Sequence, residues 1–275
     1  MSALSVLPGC APVDMLNATV PTSELTITRD VAYGEDERQK LDIYVPKSSS
    51  AHLPVVVFFY GGAWQTGTKS DFLFVAEAFA ARGAVVVVPD YRVYPEVTFP
   101  GFLDDGARAT AWVFKNIEKW GGDGNDVFLV GHSAGAYNAI MLALDDRYLK
   151  AAGVSSRNLA GAIGISGPYD FLPLTRPDVK PIFEVVSDMT LTQPIRFAHA
   201  GAPPLLLLTG DADTTVGPYN TEHLTEKMRI LGGRVEEHTY PGIAHLGSIL
   251  ALSRGFRWRA PVLDDIETFI HANAR

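Results

Sequence analysis

Short apolar runs recur along the chain, separated by segments in which apolar positions repeat with helical spacing. Uninterrupted runs of Val, Ile, Leu and Phe are typical of strands that are buried on both faces. The helical patterns lie at 70–82, 100–119 and 134–149. Alternation of strands and helices at this spacing predicts a parallel sheet with crossover helices. The apolar runs occupy residues 55–59, 85–88, 127–130, 162–165 and 205–208.

Further elements extend the predicted sheet at both ends. Two extended segments, 26–33 and 40–45, flank a polar turn and predict an antiparallel edge hairpin. Towards the C-terminus the pattern predicts a helix near 218–231, a strand at 234–240 and a last helix near 261–273. The predicted fold class is therefore α/β, with a mostly parallel central sheet of about eight strands and helices on both faces.

A proline-rich stretch at 171–203 interrupts this alternation after the sixth strand. Because no other connection is both long and irregular, the stretch predicts a small insertion over one end of the sheet. Residues 25–275 are predicted to form a single domain, and residues 1–24 an N-terminal extension.

Composition narrows the class of protein. The chain has 275 residues, of which 47% are apolar, and this fits a globular domain of the size of an enzyme. The net charge is −8 and the basic residues are scattered, which argues against a nucleic-acid binder because phosphate contacts need clustered cations. No window of 18 apolar residues is present to span a membrane. The sequence leaves the choice between a monomer and a homo-oligomer open.

The single cysteine, Cys10, excludes an internal disulfide. Its setting, SVLPGCAP, resembles the end of a bacterial lipoprotein signal, in which a lipid is attached to the cysteine. Only nine residues precede Cys10, however, and they contain no positively charged segment. Two interpretations stay open: a truncated signal whose lipidated Cys10 tethers the natural protein in a bacterial cell envelope, or an ordinary thiol in a cytoplasmic protein.

The motif GHSAG at 131–135 carries the most specific chemistry in the sequence. It follows a predicted strand and opens a predicted helix, which is the context of a nucleophile elbow. The turn is so tight that Gly131 and Gly135 are needed to avoid clashes, and it exposes the hydroxyl of Ser133 at the top of the sheet. The structural alternative is a plain strand–helix turn with Ser133 as the N-cap.

A serine hydroxyl is a weak nucleophile and needs a base, and the base needs an orienting carboxylate. In this type of fold the chain order is Ser, then Asp or Glu, then His. His245 lies in a loop after the last predicted strand, at the sheet edge where open α/β sheets place their chemistry. Asp211 and Asp213 lie in the loop after the preceding strand, and both remain candidates for the acid at this point.

Five motifs together resemble the α/β-hydrolase carboxylesterases, close to the bacterial feruloyl/acetyl-xylan-esterase-like group and related to hormone-sensitive-lipase-type esterases. The resemblance covers most of residues 25–273 in the order of the family. The GxxD pattern of the family falls on Gly210 and Asp213, which assigns Asp213 as the acid, and its loop histidine falls on His245. The motifs are YGGAW at 60–64, PDYRVYPEVTFP at 89–100, GHSAG at 131–135, GDADTTV at 210–216 and YPGIAH at 240–245.

The resemblance also gives YGGAW a function, since it corresponds to the HGGGW loop of the family. That loop supplies backbone N–H groups to the negatively charged oxygen of a tetrahedral intermediate. We expect the N–H groups of Gly62, Ala63 and Ala134 to form this oxyanion hole. Tyr60 replaces the histidine of the family and Ala63 its third glycine. No metal or organic cofactor is expected, because the chain has no HExxH, no cysteine cluster and no GxGxxG on a strand–helix turn.

Substrate choice is predicted from the residues near these motifs. Trp64, Tyr137, Phe171 and Ile243 are candidates to line an acyl pocket, with core packing as the alternative for each. The insertion at 171–203 is too short for a large lid, so an open site for small-molecule esters with short acyl chains, including aryl or acetylated carbohydrate esters, is expected. Two alternatives are an arylformamidase with the same three residues and a non-catalytic binding protein on a hydrolase scaffold.

Overall fold

The computed structural model describes residues 12–48 and 52–275, and the predicted lipid-attachment residue Cys10 lies outside them. Within these ranges eight strands form one sheet. In chain order they are β1 (Leu25–Ala32), β2 (Lys40–Pro46), β3 (Leu53–Phe59), β4 (Val85–Pro89), β5 (Gly122–His132), β6 (Gly161–Ile165), β7 (Leu205–Gly210) and β8 (Val235–Tyr240).

Helices connect these strands and cover both faces of the sheet. Helices α3, α4 and α5 contact one another, while α2 contacts α9, so the helices form two separate layers as predicted. In the described part of the chain they are α1 (Pro12–Ala18), α2 (Leu73–Ala80), α3 (Gly101–Asn116), α4 (Ala134–Leu144), α5 (Asp146–Ala151), α6 (Lys180–Phe183), α7 (Tyr219–Ile230), α8 (His245–Leu250) and α9 (Val262–Asn273).

The strand order is β1-β2-β4-β3-β5-β6-β7-β8. Strand β2 is antiparallel to both neighbours, whereas β3 to β8 run parallel, which confirms the predicted sheet and its edge hairpin. The order reverses between β3 and β5, and ligands bind beyond the carboxyl ends of the strands at such a reversal. Phe59 pairs with Gly131, so the loops that follow β3 and β5 begin side by side.

Two predicted elements differ in the structure. The predicted helix 134–149 is divided, because Asp145 adopts an extended backbone (φ −100°, ψ 90°) and its carboxylate accepts the N–H of Arg147 at the start of α5. His245, predicted in a loop, is the first residue of the short helix α8. Both boundaries depend on local hydrogen bonds that apolar periodicity does not report.

The chain between β6 and β7 is the predicted insertion, and tertiary hydrogen bonds hold its irregular backbone in place. The side-chain oxygen of Asn220 accepts the N–H groups of Tyr169 and Asp170, each at 2.9 Å. The N–H of Phe171 donates to Oε1 of Gln193 at 2.7 Å. These buried amide side chains replace the regular bonding that a strand or helix would provide, and they fix Phe171 above the carboxyl end of the sheet.

In the predicted N-terminal extension, the described residues include α1. The side chain of Asn17 on this helix donates to the carbonyl oxygens of Ser70 and Asp71 and accepts the N–H of Phe74. These contacts attach α1 to the start of α2. The division of the chain at residue 24 stays a prediction.

Candidate active site

The turn between β5 and α4 places Ser133 at the carboxyl end of the sheet in a strained backbone conformation (φ 56°, ψ −122°). A Cβ atom on Gly131 would lie 2.1 Å from the carbonyl oxygen of Gly135, and one on Gly135 would lie 2.0 Å from that of Phe59. Real side chains never approach so closely, so both positions require glycine. The strained conformation of Ser133 is stabilised by its backbone N–H group, which donates to the carbonyl oxygen of Ile165 at 2.9 Å.

The structure brings Ser133, His245 and Asp213 into one hydrogen-bonded chain. The hydroxyl of Ser133 lies 2.9 Å from Nε2 of His245, and Nδ1 of His245 lies 2.7 Å from Oδ2 of Asp213. With the proton on Nδ1, the imidazole donates to the carboxylate and Nε2 is free to accept from the serine. The side chain of Asp213 is fully buried and that of His245 is 12% exposed, so bulk water does not compete for these bonds.

Asp213 is held as an anion by its surroundings. Burial by itself raises the pKa of this carboxyl group, but the hydrogen bonds from His245 and from the N–H groups of Val216 and Thr215 outweigh it and keep the pKa below its usual value. Both backbone N–H groups donate to Oδ1 at 2.9 Å. The second oxygen is thereby left for the imidazole, and its orientation is fixed.

Asp211, the other candidate for the acid, faces a different neighbour. Its Oδ1 accepts the N–H of Gly242 at 2.6 Å, and the residue is exposed. That bond links the loop after β7 to the loop after β8. Asp211 therefore stabilises the turn that carries His245, whereas Asp213 contacts the imidazole.

The loop after β3 adopts a left-handed backbone at three consecutive residues. The φ angles are 131° for Gly62, 52° for Ala63 and 57° for Trp64. The carbonyl oxygen of Gly62 accepts the N–H groups of Gln65 and Thr66, which closes the loop. A Cβ on Gly62 would lie 2.2 Å from the carbonyl oxygen of Thr66, so only glycine fits there. This is the physical reason for the second glycine of the pair that follows β3.

Ala63 and Ala134 line the same cavity as Ser133, whereas Gly62 is not among its lining residues. Within residues 12–48 and 52–275, the backbone N–H groups of Ala63 and Ala134 donate no hydrogen bond. Gly62 shapes the turn, and two unused donors lie beside the serine. Ala63 adopts a left-handed backbone conformation. The third glycine of the HGGGW loop would adopt the same conformation at a lower energetic cost, because glycine has no Cβ.

The side chain of Tyr60 stabilises the start of this loop. Its hydroxyl donates to Oδ1 of Asp90 at 2.7 Å and accepts from Arg38 at 3.0 Å. Its ring stacks between Phe72 and Tyr91, with centroid distances of 5.4 and 4.8 Å. The tyrosine that replaces the histidine of the HGGGW loop is therefore buried in a polar network that holds the end of β3.

A cavity of about 430 Å³ opens at Ser133. The loop after β3 and the insertion contribute mainly apolar residues, although the insertion also supplies Thr175 and Arg176, and the loop after β7 contributes Thr214 and Thr215. Sequence reasoning found Trp64 and Phe171 but missed most of the insertion, because proline-rich segments have no periodicity to interpret. The lining residues are Ala63, Trp64, Ser133, Ala134, Pro168, Phe171, Leu172, Pro173, Leu174, Thr175, Arg176, Val179, Thr214, Thr215, Val216, Gly217, Tyr219 and Asn220.

Two of the residues predicted to line the pocket do not line it. Tyr137 is fully buried; its hydroxyl donates to the carbonyl oxygen of Thr192, and its ring packs against Trp64 and Phe171. Ile243 is also buried, with its carbonyl oxygen accepting the N–H of Ala212. Core packing is thus the correct interpretation for both, since each supports the residues around the cavity and not the cavity itself.

The described residues contain neither a group suited to a metal ion nor a membrane-spanning helix. Among the described residues, no three His, Cys, Asp or Glu side chains come together in a group suited to a metal ion. Over the same ranges, no helix has both the length and the apolar character needed to cross a membrane.

The strand order, the elbow at Ser133 and the chain of hydrogen bonds through His245 to Asp213 define an α/β-hydrolase. The chain belongs to the BD-FAE family, whose family model matches residues 41–228. Esterase B from Lactobacillus rhamnosis, in a structure inhibited by a tributyrin phosphonate, shares this fold. Its TM-score is 0.80 at 19% sequence identity, and the match covers 94% of this chain and 90% of that one.

Curated relatives are similar over much of the chain. The isoprenylcysteine alpha-carbonyl methylesterase ICME of Arabidopsis thaliana is 29% identical over 269 residues, which cover 90% of this chain. The kynurenine formamidase of Danio rerio is 34% identical over 169 residues, which cover 61% of this chain. The match spans 62% and 55% of the length of these two relatives.

Proposed function

We propose that this protein is a serine carboxylesterase that hydrolyses short-chain acyl esters through an acyl-enzyme. The observation that carries the proposal is the Ser133–His245–Asp213 chain of hydrogen bonds at the mouth of an open cavity. The methylesterase of Arabidopsis thaliana, a relative that cleaves an ester according to its name, supports the reaction class. The proposal assigns a catalytic role to each of the three residues.

In the first half of the reaction, the oxygen of Ser133 attacks the ester carbonyl carbon while Nε2 of His245 takes the serine proton. Asp213 holds the imidazole in the required tautomer and stabilises the imidazolium that forms. The tetrahedral intermediate carries a negative oxygen, which the N–H groups of Ala63 and Ala134 stabilise, with Gly62 shaping the loop. Collapse of this intermediate expels the alcohol, which receives its proton from His245.

In the second half, a water molecule replaces the alcohol. His245 takes a proton from the water as it attacks the acyl carbon. When the resulting intermediate collapses, the bond between the acyl carbon and the serine oxygen breaks, the carboxylic acid leaves, and His245 returns its proton to the oxygen of Ser133. Every proton transfer passes through Nε2 of His245. The described side chains are sufficient for this sequence of steps, so it needs no cofactor.

The residues that line the cavity suggest the substrate class. Trp64, Phe171 and Val179 offer apolar surface for a short acyl chain, while Thr214 and Thr215 add hydroxyl-bearing side chains to the lining of the same cavity. An ester with a small acyl group and a polar alcohol, such as an acetylated carbohydrate, or an aryl ester fits this combination. At about 430 Å³ the cavity lies at the lower end of the range for small-molecule sites.

The second candidate function is hydrolysis of an arylformamide. It is favoured by the similarity to the kynurenine formamidase of Danio rerio, although that match covers less of this chain than the match to the methylesterase. The same nucleophile and base serve both reactions, because each proceeds through attack on a carbonyl carbon and a tetrahedral intermediate. Only the relative rates on the two kinds of substrate separate them.

The test compares p-nitrophenyl esters from acetate to laurate with feruloyl esters, acetylated sugars and N-formylkynurenine. We expect kcat/KM to be highest on short esters, and Ser133→Ala to lower kcat by roughly a million-fold. A fluorophosphonate probe is expected to label Ser133 alone. Ser155→Ala is the matched control and should retain activity, because Ser155 precedes β6 and therefore lies towards the amino ends of the parallel strands, away from Ser133.

Each outcome of this panel selects one function. Higher kcat/KM on N-formylkynurenine than on any ester makes the protein a formamidase. A chain that turns over none of these substrates and is not labelled by the probe is a non-catalytic binding protein. Labelling of a serine other than Ser133 overturns the assignment of the nucleophile.

A further inference from the structure

The carbonyl oxygen of His245 has two side-chain contacts. Nε2 of His132 lies 3.3 Å from it, and the hydroxyl of Ser248 donates to it at 2.8 Å. His132 is the residue between Gly131 and Ser133 in the elbow, and it is only 3% exposed. The two donors therefore approach the main chain of His245 from different elements, one from the end of β5 and one from α8.

The two imidazole rings are also in contact. Their centroids are 4.9 Å apart and their planes are inclined by 39°. The ring of His132 therefore covers the ring of His245, which at the same time reaches Ser133 through Nε2 and Asp213 through Nδ1. Rotation of the His245 side chain away from these two partners would have to break the ring contact as well.

The surroundings of His132 keep it neutral. Burial and, to a smaller extent, the neighbouring His245 side chain lower the pKa of His132 to about 3, although the hydrogen bond to the His245 carbonyl oxygen and the charge of Asp213 act in the opposite direction. Among the described residues, His245 and Asp213 are the titratable groups that act on His132. A neutral imidazole can donate from Nε2 to the carbonyl oxygen of His245, and it places no second positive charge beside His245 when that residue becomes protonated.

We propose that His132 is a positioning residue, which fixes the main chain of His245 through a hydrogen bond and its imidazole through ring contact. The proposal rests on the proposed function, in which His245 is the base. It implies that the five-residue elbow holds both reacting groups: the turn orients Ser133, and the preceding residue orients the base that activates it. Even a small displacement of His245 would lower the reaction rate, because proton transfer requires its Nε2 to be aligned with the hydroxyl of Ser133.

The experiment removes and restores the donor. His132→Leu takes away the N–H group at similar volume, and we expect kcat to fall by about ten- to a hundred-fold with KM changed less than threefold. His132→Gln keeps an N–H donor near the position of Nε2 and is expected to recover most of kcat. Ser248→Ala removes the other donor to the same oxygen and should lower kcat by a smaller factor.

The matched control is Thr209→Val, a buried polar residue at the end of β7 that has no hydrogen bond to His245 in the described structure. It should leave kcat unchanged. Circular dichroism verifies folding for each variant. A second measurement, the low-field proton resonance of Nδ1–H of His245, reports the bond to Asp213 directly, and we expect it to broaden in His132→Leu but not in His132→Gln.

Different results would refute the positioning role of His132 and the proposed esterase function. Wild-type protein that hydrolyses none of the esters refutes the function, while the proton resonance still decides whether His132 orders His245. A folded His132→Leu enzyme with wild-type kcat and an unchanged resonance refutes the positioning role. If His132→Leu does not fold, His132→Asn, whose shorter side chain cannot reach the carbonyl oxygen, must show the same loss of kcat or the proposal fails.

Discussion

The hydroxyl of Tyr60 donates to Oδ1 of Asp90 at 2.7 Å, and the same carboxylate oxygen accepts the N–H of Lys69 at 2.7 Å. Asp90 follows β4 and Tyr60 follows β3, so this carboxylate joins the ends of two neighbouring strands to the segment that leads into α2. Because Gly61 and Gly62 come next in the chain, the geometry of the proposed oxyanion loop depends on this pair.

Tyr60→Phe tests that dependence. The substitution leaves the half-buried carboxylate of Asp90 without its tyrosine donor, which should lower the free energy of unfolding by about 1–3 kcal/mol. We expect kcat to fall by about tenfold because the loop loses one anchor. Urea unfolding and steady-state kinetics measure the two effects. Tyr94→Phe is the control, since its hydroxyl makes no hydrogen bond within the described residues, and both values should stay at the wild-type level.

The two aspartates after β7 should differ in their effect on catalysis. Asp213→Asn removes the charge that orients His245 and is expected to lower kcat on the order of ten-thousand-fold. Asp211→Asn removes a charged acceptor from Gly242 in a turn and should lower stability slightly with little change in kcat. The measurement is kcat on p-nitrophenyl acetate for both variants. A larger loss for Asp211→Asn would show that the acid is assigned to the wrong residue.

Gly62 is expected to tolerate no side chain. Its φ of 131° disfavours any other residue, and a Cβ would collide with the carbonyl oxygen of Thr66. Gly62→Ala should therefore displace the loop and lower kcat by about 100- to 1000-fold, the usual cost of one oxyanion donor. Gly83→Ala is matched to it, because Gly83 also has a positive φ but open space around it. That variant should lose stability alone, and equal losses of kcat in both would argue against a role of the loop in catalysis.

The stability of the fold should decrease as the pH is lowered through a window set by His132. Its folded pKa is lowered to about 3, below the usual 6.5, so between these values the unfolded chain binds a proton that the folded chain does not. The free energy of unfolding therefore rises with pH across this window, by up to about 1.4 kcal/mol per pH unit from this residue. Below pH 3 the slope from His132 ends.

Urea unfolding of the wild type and of His132→Gln between pH 4 and 6 measures this contribution. The variant cannot titrate at that position. The slope of its free energy of unfolding against pH should therefore be smaller than that of the wild type, by an amount that corresponds to close to one proton. Thr209→Val, which removes no titratable group, supplies the control and should keep the wild-type slope. Equal slopes in wild type and His132→Gln would mean that the buried imidazole is protonated in the folded state.

Much of the fold follows from the sequence, because its elements are defined by local patterns. The apolar runs are too long and too uniform for half-exposed strands, so they predicted the parallel strands β3 to β7, and the structure confirms them. The elbow is equally local: the clashes at Gly131 and Gly135 arise within a single turn and against the neighbouring strand β3. Spacing and residue type therefore singled out Ser133 without knowledge of the tertiary structure.

The remaining features of the site depended on contacts between segments far apart in the chain. Asp211 and Asp213 differ by two positions in one loop, and only the packing of the loops after β7 and β8 directs one to His245 and the other to Gly242. His132 showed no pattern of its own, since its role depends on a carbonyl oxygen more than 100 residues away. Local sequence determines which residues can form a strand or a turn. The distances between loops, in contrast, are set only when the sheet forms and brings the carboxyl ends of its strands together.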